Sequence, residues 1–158
     1  MSEVVFSGAT FVYGEVLGEI IASDLELSFW GGLDPFSGEV IDRHHPLSGQ
    51  SLTGKVLVIP GGRGSCSGSG VILELLRAGK GPAAIMAERE DDILPLGVVI
   101  AEEVFEKLIP VVALNPRDFH QVATARYARV DGSRVICGDD PDALRGLPLA
   151  GRAGQHRF

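Results

Sequence analysis

The alternation of apolar and polar positions changes character near the middle of the chain. In the first third a period of two dominates: Leu25, Leu27 and Phe29 alternate with Glu26 and Ser28, as in a strand with one face buried. Turn residues then crowd into Gly31-Gly32-Leu33-Asp34-Pro35-Phe36-Ser37-Gly38, after which Glu39-Val40-Ile41-Asp42 resumes an extended pattern. The expected unit is a strand, a long reversal and a strand. Upstream, Glu15 to Ile21 is a further strand, with Gly14 and Gly18 marking a bend or a close backbone approach.

After Gly54 the pattern becomes that of alternating strands and helices. Lys55-Val56-Leu57-Val58-Ile59 is a short β-branched run of the kind covered on both faces. A Gly/Ser-rich loop spans Gly61 to Gly70, and Val71 to Arg77 follows with helical composition, a basic residue in its last turn and Gly79 as its stop. Ala83 to Ala87 is the next strand, Leu96 to Leu108 a second helix, and Ile109 to Leu114 another strand. This order implies a parallel α/β layer. Tyr127 to Val130, then Asp131-Gly132, then Ser133 to Cys137 predicts a β-hairpin with a tight turn at Asp-Gly. Beyond Gly138 no periodicity remains, so residues 1–138 are expected to form the domain and 139–158 a loose or partner-bound tail.

Composition narrows the function classes. At 158 residues one domain is the default, and 45% apolar against 22% charged residues is globular composition. The net charge of −7 argues against non-specific nucleic-acid binding, which needs basic surface to displace counterions. The imbalance is uneven: residues 115–158 hold seven basic and five acidic residues, a mildly basic end compatible with an acidic protein partner. The most apolar stretch, Ile93 to Ala101, is broken by Pro95 and Gly97 and is far shorter than the ~20 residues of a membrane helix. The N-terminus lacks a basic segment followed by an apolar one, so a cytoplasmic protein is expected. Two cysteines, Cys66 and Cys137, cannot form a disulfide scaffold or complete a zinc or iron–sulfur ligand set.

The loop Gly61-Gly62-Arg63-Gly64-Ser65-Cys66-Ser67-Gly68-Ser69-Gly70 stands out by location, between a buried strand and a helix start. A helix N-terminus presents unpaired N–H groups and partial positive charge, which attract carboxylate, phosphate or alkoxide. Glycines allow close backbone approach, and Arg63 can add a bidentate fork. Established loop patterns fit poorly. No lysine lies between Lys55 and Lys80, as a phosphate-binding loop would need; Ser67 stands where the dinucleotide pattern has its third glycine; and no serine here has the glycine two residues before it that a hydrolase elbow requires. What remains is Ser65 close to Arg63 at a helix dipole, where positive charge favours the ionised hydroxyl and poises it to take a proton. The competing reading is a Ser/Gly turn that only caps the helix. Cys66 reads as a small buried filler or a low-pKa thiol. The pair His44-His45 reads as loop packing or hydrogen bonding, since adjacent side chains rarely share one metal ion.

Taken together, Ser28-Phe29-Trp30-Gly31-Gly32-Leu33-Asp34-Pro35, the run Gly38 to Asp42 with His45-Pro46-Leu47, and Gly62-Arg63-Gly64-Ser65 resemble the aconitase X small-subunit family, over about residues 14–137. The resemblance implies a swivelling β/β/α domain, an α/β fold with a parallel α/β layer and a β-hairpin layer. It implies half of an active site: an aconitase-like large subunit, in a heterodimer or larger assembly, would carry an iron–sulfur cluster, with no metal held by this chain. Ser65 would abstract the proton α to the carboxylate of a small substrate, and the partner's iron would act on the leaving hydroxyl. Arg63, Gly64, Cys66 and Ser67 would bind substrate. Two substrates go with the family, cis-3-hydroxy-L-proline and phosphomevalonate. The archaeal phosphomevalonate type reads Gly-Lys-Gly-Ser-Thr where this chain has Gly62-Arg63-Gly64-Ser65-Cys66, which favours hydroxyproline. A non-catalytic anion-binding module on the same fold stays open.

Overall fold

A computed structural model describes residues 4–27, 32–61, 67–88 and 109–146. Its strands are β1 (Val4–Ser7), β2 (Ala9–Val12), β3 (Glu15–Ala22), β4 (Val56–Ile59), β5 (Ala84–Ala87), β6 (Val111–Ala113), β7 (Tyr127–Asp131) and β8 (Arg134–Gly138). Its helices are α1 (Ser67–Arg77), α2 (Pro116–Val122) and α3 (Pro141–Arg145). The strands form one sheet in the order β1-β8-β7-β3-β4-β5-β6-β2.

β3 is the hinge of this sheet. Its first half, Glu15 to Glu19, pairs antiparallel with β7, and its second half, Ile20 to Ala22, pairs parallel with β4. One half-sheet is thus the antiparallel set β1-β8-β7-β3, and the other is the parallel run β3-β4-β5-β6 with β2 antiparallel at its edge. Gly18 lies at the switch, where an added Cβ would stand 3.2 Å from Val56 Cγ2, so the close approach anticipated there is present.

The two outer strands are successive in sequence. β1 pairs with β8 and β2 with β6, and only Gly8 separates them, so the two edges of the sheet converge at Gly8. Its N–H donates to the Ser133 carbonyl at 2.8 Å, and a Cβ there would lie 2.5 Å from both the Ala113 carbonyl oxygen and Val112 Cγ1. Only glycine fits such a seam.

Alternate residues along the strands feed two cores, as a period of two requires. Val56, Val58, Ala84, Met86 and Val112 from the parallel half meet Phe6, Ala128, Val130, Val135 and Cys137 from the antiparallel half, with Phe119 and Val122 of α2 against them. Leu57, Ile59, Ile85 and Val111 face the other way, onto Val71, Ile72, Leu75 and Leu76 of α1 and onto Leu27, Leu33, Val40, Leu47 and Leu52. The layers are antiparallel sheet, parallel sheet, helix: the β/β/α arrangement expected above, with every residue of β4 and β5 buried.

α1 ends as its sequence suggests. Gly79 adopts φ +72°, its N–H donates to the Leu76 carbonyl, and the Lys80 N–H donates to the Leu75 carbonyl. That pair of bonds is the Schellman closure.

Two local expectations are corrected. The alternation over 25–29 does not give a strand in its described part: Leu27 is fully buried but Leu25 is half exposed, because the Ser23 hydroxyl accepts the Leu25 N–H at 3.0 Å and turns the chain. The segment 33–52 is instead a compact loop held by isolated bridges, Leu33 with Val40 and Glu39 with Ser51. The hairpin turn is shifted by one residue, since Asp131 pairs with Arg134 and leaves Gly132-Ser133 as the loop. Past Gly138, where periodicity fails, α3 is capped by Asp140 and buries Leu144 completely, while Arg129 Nη1 donates to the Leu144 carbonyl at 3.0 Å. The expected helix over 96–108 and Trp30 lie outside the described residues.

Candidate functional site

β3, β4, β5 and β6 run parallel, so their C-terminal ends, Ala22, Ile59, Ala87 and Ala113, open on one side of the sheet. In parallel α/β layers that side is where ligands bind. β4 leaves it through Pro60 and Gly61, and α1 returns from it beginning at Ser67. Arg63, Gly64, Ser65 and Cys66, the expected base and substrate contacts, lie outside the described residues, and Ser67 is described only as the start of the α1 backbone. What the structure describes is the frame on both sides of them.

The frame is firm at both ends. Gly61 is buried and follows a fully buried strand. α1 is fixed by Val71, Ile72, Leu75 and Leu76, each less than a tenth exposed. Its first turn holds no acidic side chain, so no carboxylate of its own competes for the unpaired N–H groups there. Its far end carries the Glu74–Arg77 ion pair, which holds the Glu74 carboxyl below its usual range through the Arg77 hydrogen bond.

Hydrogen bonds bring the separated motifs to this frame. Ser23, just past β3, donates its N–H to the Val58 carbonyl at 3.0 Å, and the Leu27 N–H reaches the Gly61 carbonyl at 3.3 Å. The Gly32 carbonyl accepts from Ile41 N–H at 2.9 Å and Asp42 N–H at 3.3 Å. Asp42 in turn accepts the His44 N–H on Oδ1, and its carbonyl accepts the His45 N–H. His45 is buried at 6% exposure; its Nδ1 accepts the Leu47 N–H at 3.1 Å, which leaves Nε2 protonated and 3.3 Å from the Leu25 carbonyl. Hydrogen bonding is therefore what His45 does, and His44 is exposed on the same turn. Ser23 was not singled out by pattern; its only sequence signal is a serine two residues before a strand-like run, the spacing at which a hydroxyl competes for a backbone N–H.

The remaining candidate chemistry lies elsewhere. Cys137 sits in the core between the half-sheets, and burial pushes its thiol up to about 12. A thiol held protonated in an apolar core is neither a metal ligand nor a nucleophile. Among the described residues no three His, Cys, Asp or Glu side chains are grouped to hold a metal ion, so these residues do not fit an iron–sulfur cluster. No helix among them is long and apolar enough to cross a membrane.

Comparison with known proteins places this frame. The family model of the aconitase X swivel domain matches residues 5–137. A cis-3-hydroxy-L-proline dehydratase of Hypocrea jecorina is 57% identical over 139 residues, covering 88% of this chain and 23% of its own. A phosphomevalonate dehydratase small subunit of Methanopyrus kandleri is 47% identical over 87 residues, 55% of this chain and 64% of its own. Among solved structures, an aconitase X of Thermococcus kodakaraensis superposes with a TM-score of 0.76 at 36% identity, over 86% of this chain and 99% of that one. The chain thus spans about a quarter of the length of the hydroxyproline dehydratase it matches.

Proposed function

Because the chain belongs to the aconitase X swivel family, we propose that it is the swivel component of a hydro-lyase that dehydrates cis-3-hydroxy-L-proline, with Ser65 as the proton-abstracting base. The observation that carries the substrate choice is the degree of likeness: hydroxyproline dehydratases are 57% and 49% identical over 88% of the chain, whereas phosphomevalonate small subunits reach 47% over 55% of it or 38% over 80%. The loop favours the same branch, with Arg63 and Cys66 where the archaeal pattern has lysine and threonine.

The chemistry assigned to this chain is that of one half-site. A dehydration of this kind removes a proton α to a carboxylate and expels a hydroxyl from the next carbon. Ser65, between the buried end of β4 and the start of α1, takes that proton; positive charge from Arg63 and the helix N-terminus favours its ionised form. Arg63 and the N–H groups around Gly64 and Cys66, with Ser67, hold the carboxylate and the negative charge that develops on it. The second half-site, including any iron–sulfur cluster, belongs to a large aconitase-like component, as an attached domain or a separate subunit. The described residues of this chain offer no ligand set for a cluster. The assembly works in the cytoplasm on a small carboxylate, and the part of 139–158 that follows α3 is the stretch assigned to meet the larger component.

Ser65→Ala tests this reading. The variant is expected to assemble with the large component and to lose roughly 10²–10⁴ in turnover of cis-3-hydroxy-L-proline, the range for a lost general base. Undiminished turnover overturns the role of Ser65. A wild-type assembly that dehydrates phosphomevalonate and leaves hydroxyproline untouched overturns the substrate, and one that dehydrates neither favours a non-catalytic anion-binding module.

A further inference from the structure

We propose that His45 is a positioning residue for this site, acting through one long-range hydrogen bond to the Leu25 carbonyl. The proposal rests on the reading of the β4–α1 loop as catalytic and names a residue that controls the frame of that loop.

Burial constrains His45. A histidine at 6% exposure must satisfy both ring nitrogens or leave a polar group stranded. Nδ1 is satisfied locally, by the Leu47 N–H two residues on. Nε2 reaches back 20 positions to the Leu25 carbonyl. The two bonds demand opposite roles, acceptor at Nδ1 and donor at Nε2, so only the neutral ring with its proton on Nε2 makes both. A residue needed only for its own turn would have no use for the second bond.

What the second bond holds explains its placing. Leu25 lies between two ties to the end of β4: Ser23 N–H to the Val58 carbonyl and Leu27 N–H to the Gly61 carbonyl. The Ser23 hydroxyl accepts the Leu25 N–H, so both polar groups of the Leu25 backbone are engaged, one by Ser23 and one by His45. Although its side chain is half exposed, the Leu25 backbone is therefore pinned from both sides. Leu27 directly precedes the Ser28-Phe29-Trp30-Gly31 motif in sequence and Gly61 directly precedes the Gly62-Arg63-Gly64-Ser65 motif, so the clamp ties together the residues that lead into both. The 42–47 turn, through His45, is thereby connected to the β4–α1 junction. Small displacements of a positioned group are costly in rate, on the order of 10²-fold for 1 Å.

His45→Asn separates the two bonds. Asparagine can still accept the Leu47 N–H in the same two-residue turn but is too short to reach Leu25. In the full chain, amide exchange followed by NMR is expected to stay slow at Leu47 and to become about tenfold faster or more at Leu27. In the assembled enzyme, kcat is expected to fall about tenfold or more with KM little changed. His45→Gln, whose longer amide can again donate to the Leu25 carbonyl, is expected to recover much of both losses. An Asn variant that matches wild type at Leu27 and in kcat overturns the proposal, as does a Gln variant no better than Asn. If wild-type enzyme turns over no hydroxyproline, the functional reading fails instead, and the exchange of Leu27 still decides whether the clamp exists.

Discussion

Replacing Gly8 with alanine probes the feature on which the whole sheet depends. The added Cβ would stand 2.5 Å from the Ala113 carbonyl oxygen and 2.5 Å from Val112 Cγ1, with Leu114 Cδ2 at 3.0 Å. Carbon and oxygen settle about 3.3 Å apart even in favourable contacts, so roughly 0.8 Å must be found. The obstacle is backbone, and Val112 and Leu114 are buried, so no flexible side chain can simply swing away. Forced overpacking costs about 1–3 kcal/mol, and easing β2 away from β6 or Gly8 from Ser133 sacrifices at least one hydrogen bond worth about 1 kcal/mol. The expected loss is about 2–4 kcal/mol, or roughly 5–15 °C in Tm for a domain of this size. Urea unfolding of the full chain, with Gly70→Ala as a companion, measures it. Gly70 sits exposed within α1 with nothing near its Cβ position, so alanine there is expected to stabilise by about 0.5–1 kcal/mol. A Gly8→Ala loss below about 0.5 kcal/mol would mean that the two sheet edges do not meet as described.

Three further outcomes follow from the packing. In a Cys66→Ser background, Cys137 is expected to react with a thiol reagent about 10³-fold more slowly in the native chain than when unfolded at the same pH; because its thiol is raised from 9.0 to about 12, its stabilising contribution is intact below pH 9 and is lost as pH rises toward 12. Asn115→Ala removes the side chain that accepts the Asp118 N–H at 2.9 Å at the start of α2, and a loss of about 1 kcal/mol in urea unfolding is expected. Leu144→Ala opens a fully buried position under α3 and is expected to cost about 2–3 kcal/mol, at the low end for leucine because the short helix can resettle; a neutral result would mean that α3 does not pack on the sheet.

The parallel layer was legible from two short apolar runs, Val56 to Ile59 between Gly54 and Pro60, and Ala84 to Ala87 between Gly81-Pro82 and the charged Glu88-Arg89, and both are buried on two faces. The helix between them declared its end through Gly79. Closure of the sheet was not legible, because nothing in the pattern of residues 4–12 says that one stretch pairs with β8 and the next with β6. Leu25 misled for a physical reason: the Ser23 hydroxyl competes with the sheet for its N–H, and hydrophobic alternation is blind to that competition. The proposed site shows in the sequence as a loop of suggestive chemistry between a strand and a helix that the structure bears out on either side. Its supports do not, since the bonds from Leu27 to Gly61 and from His45 to Leu25 join residues 34 and 20 positions apart.

The central claim, that this chain is the swivel half of a hydroxyproline dehydratase, is tested most directly by recovering the protein from its own cells through a tag on this chain and assaying the recovered assembly with cis-3-hydroxy-L-proline. The account predicts an iron-containing, aconitase-like component in the assembly and loss of water from that substrate, abolished or nearly so by Ser65→Ala. A chain recovered alone, free of iron and inert toward hydroxyproline, would contradict it.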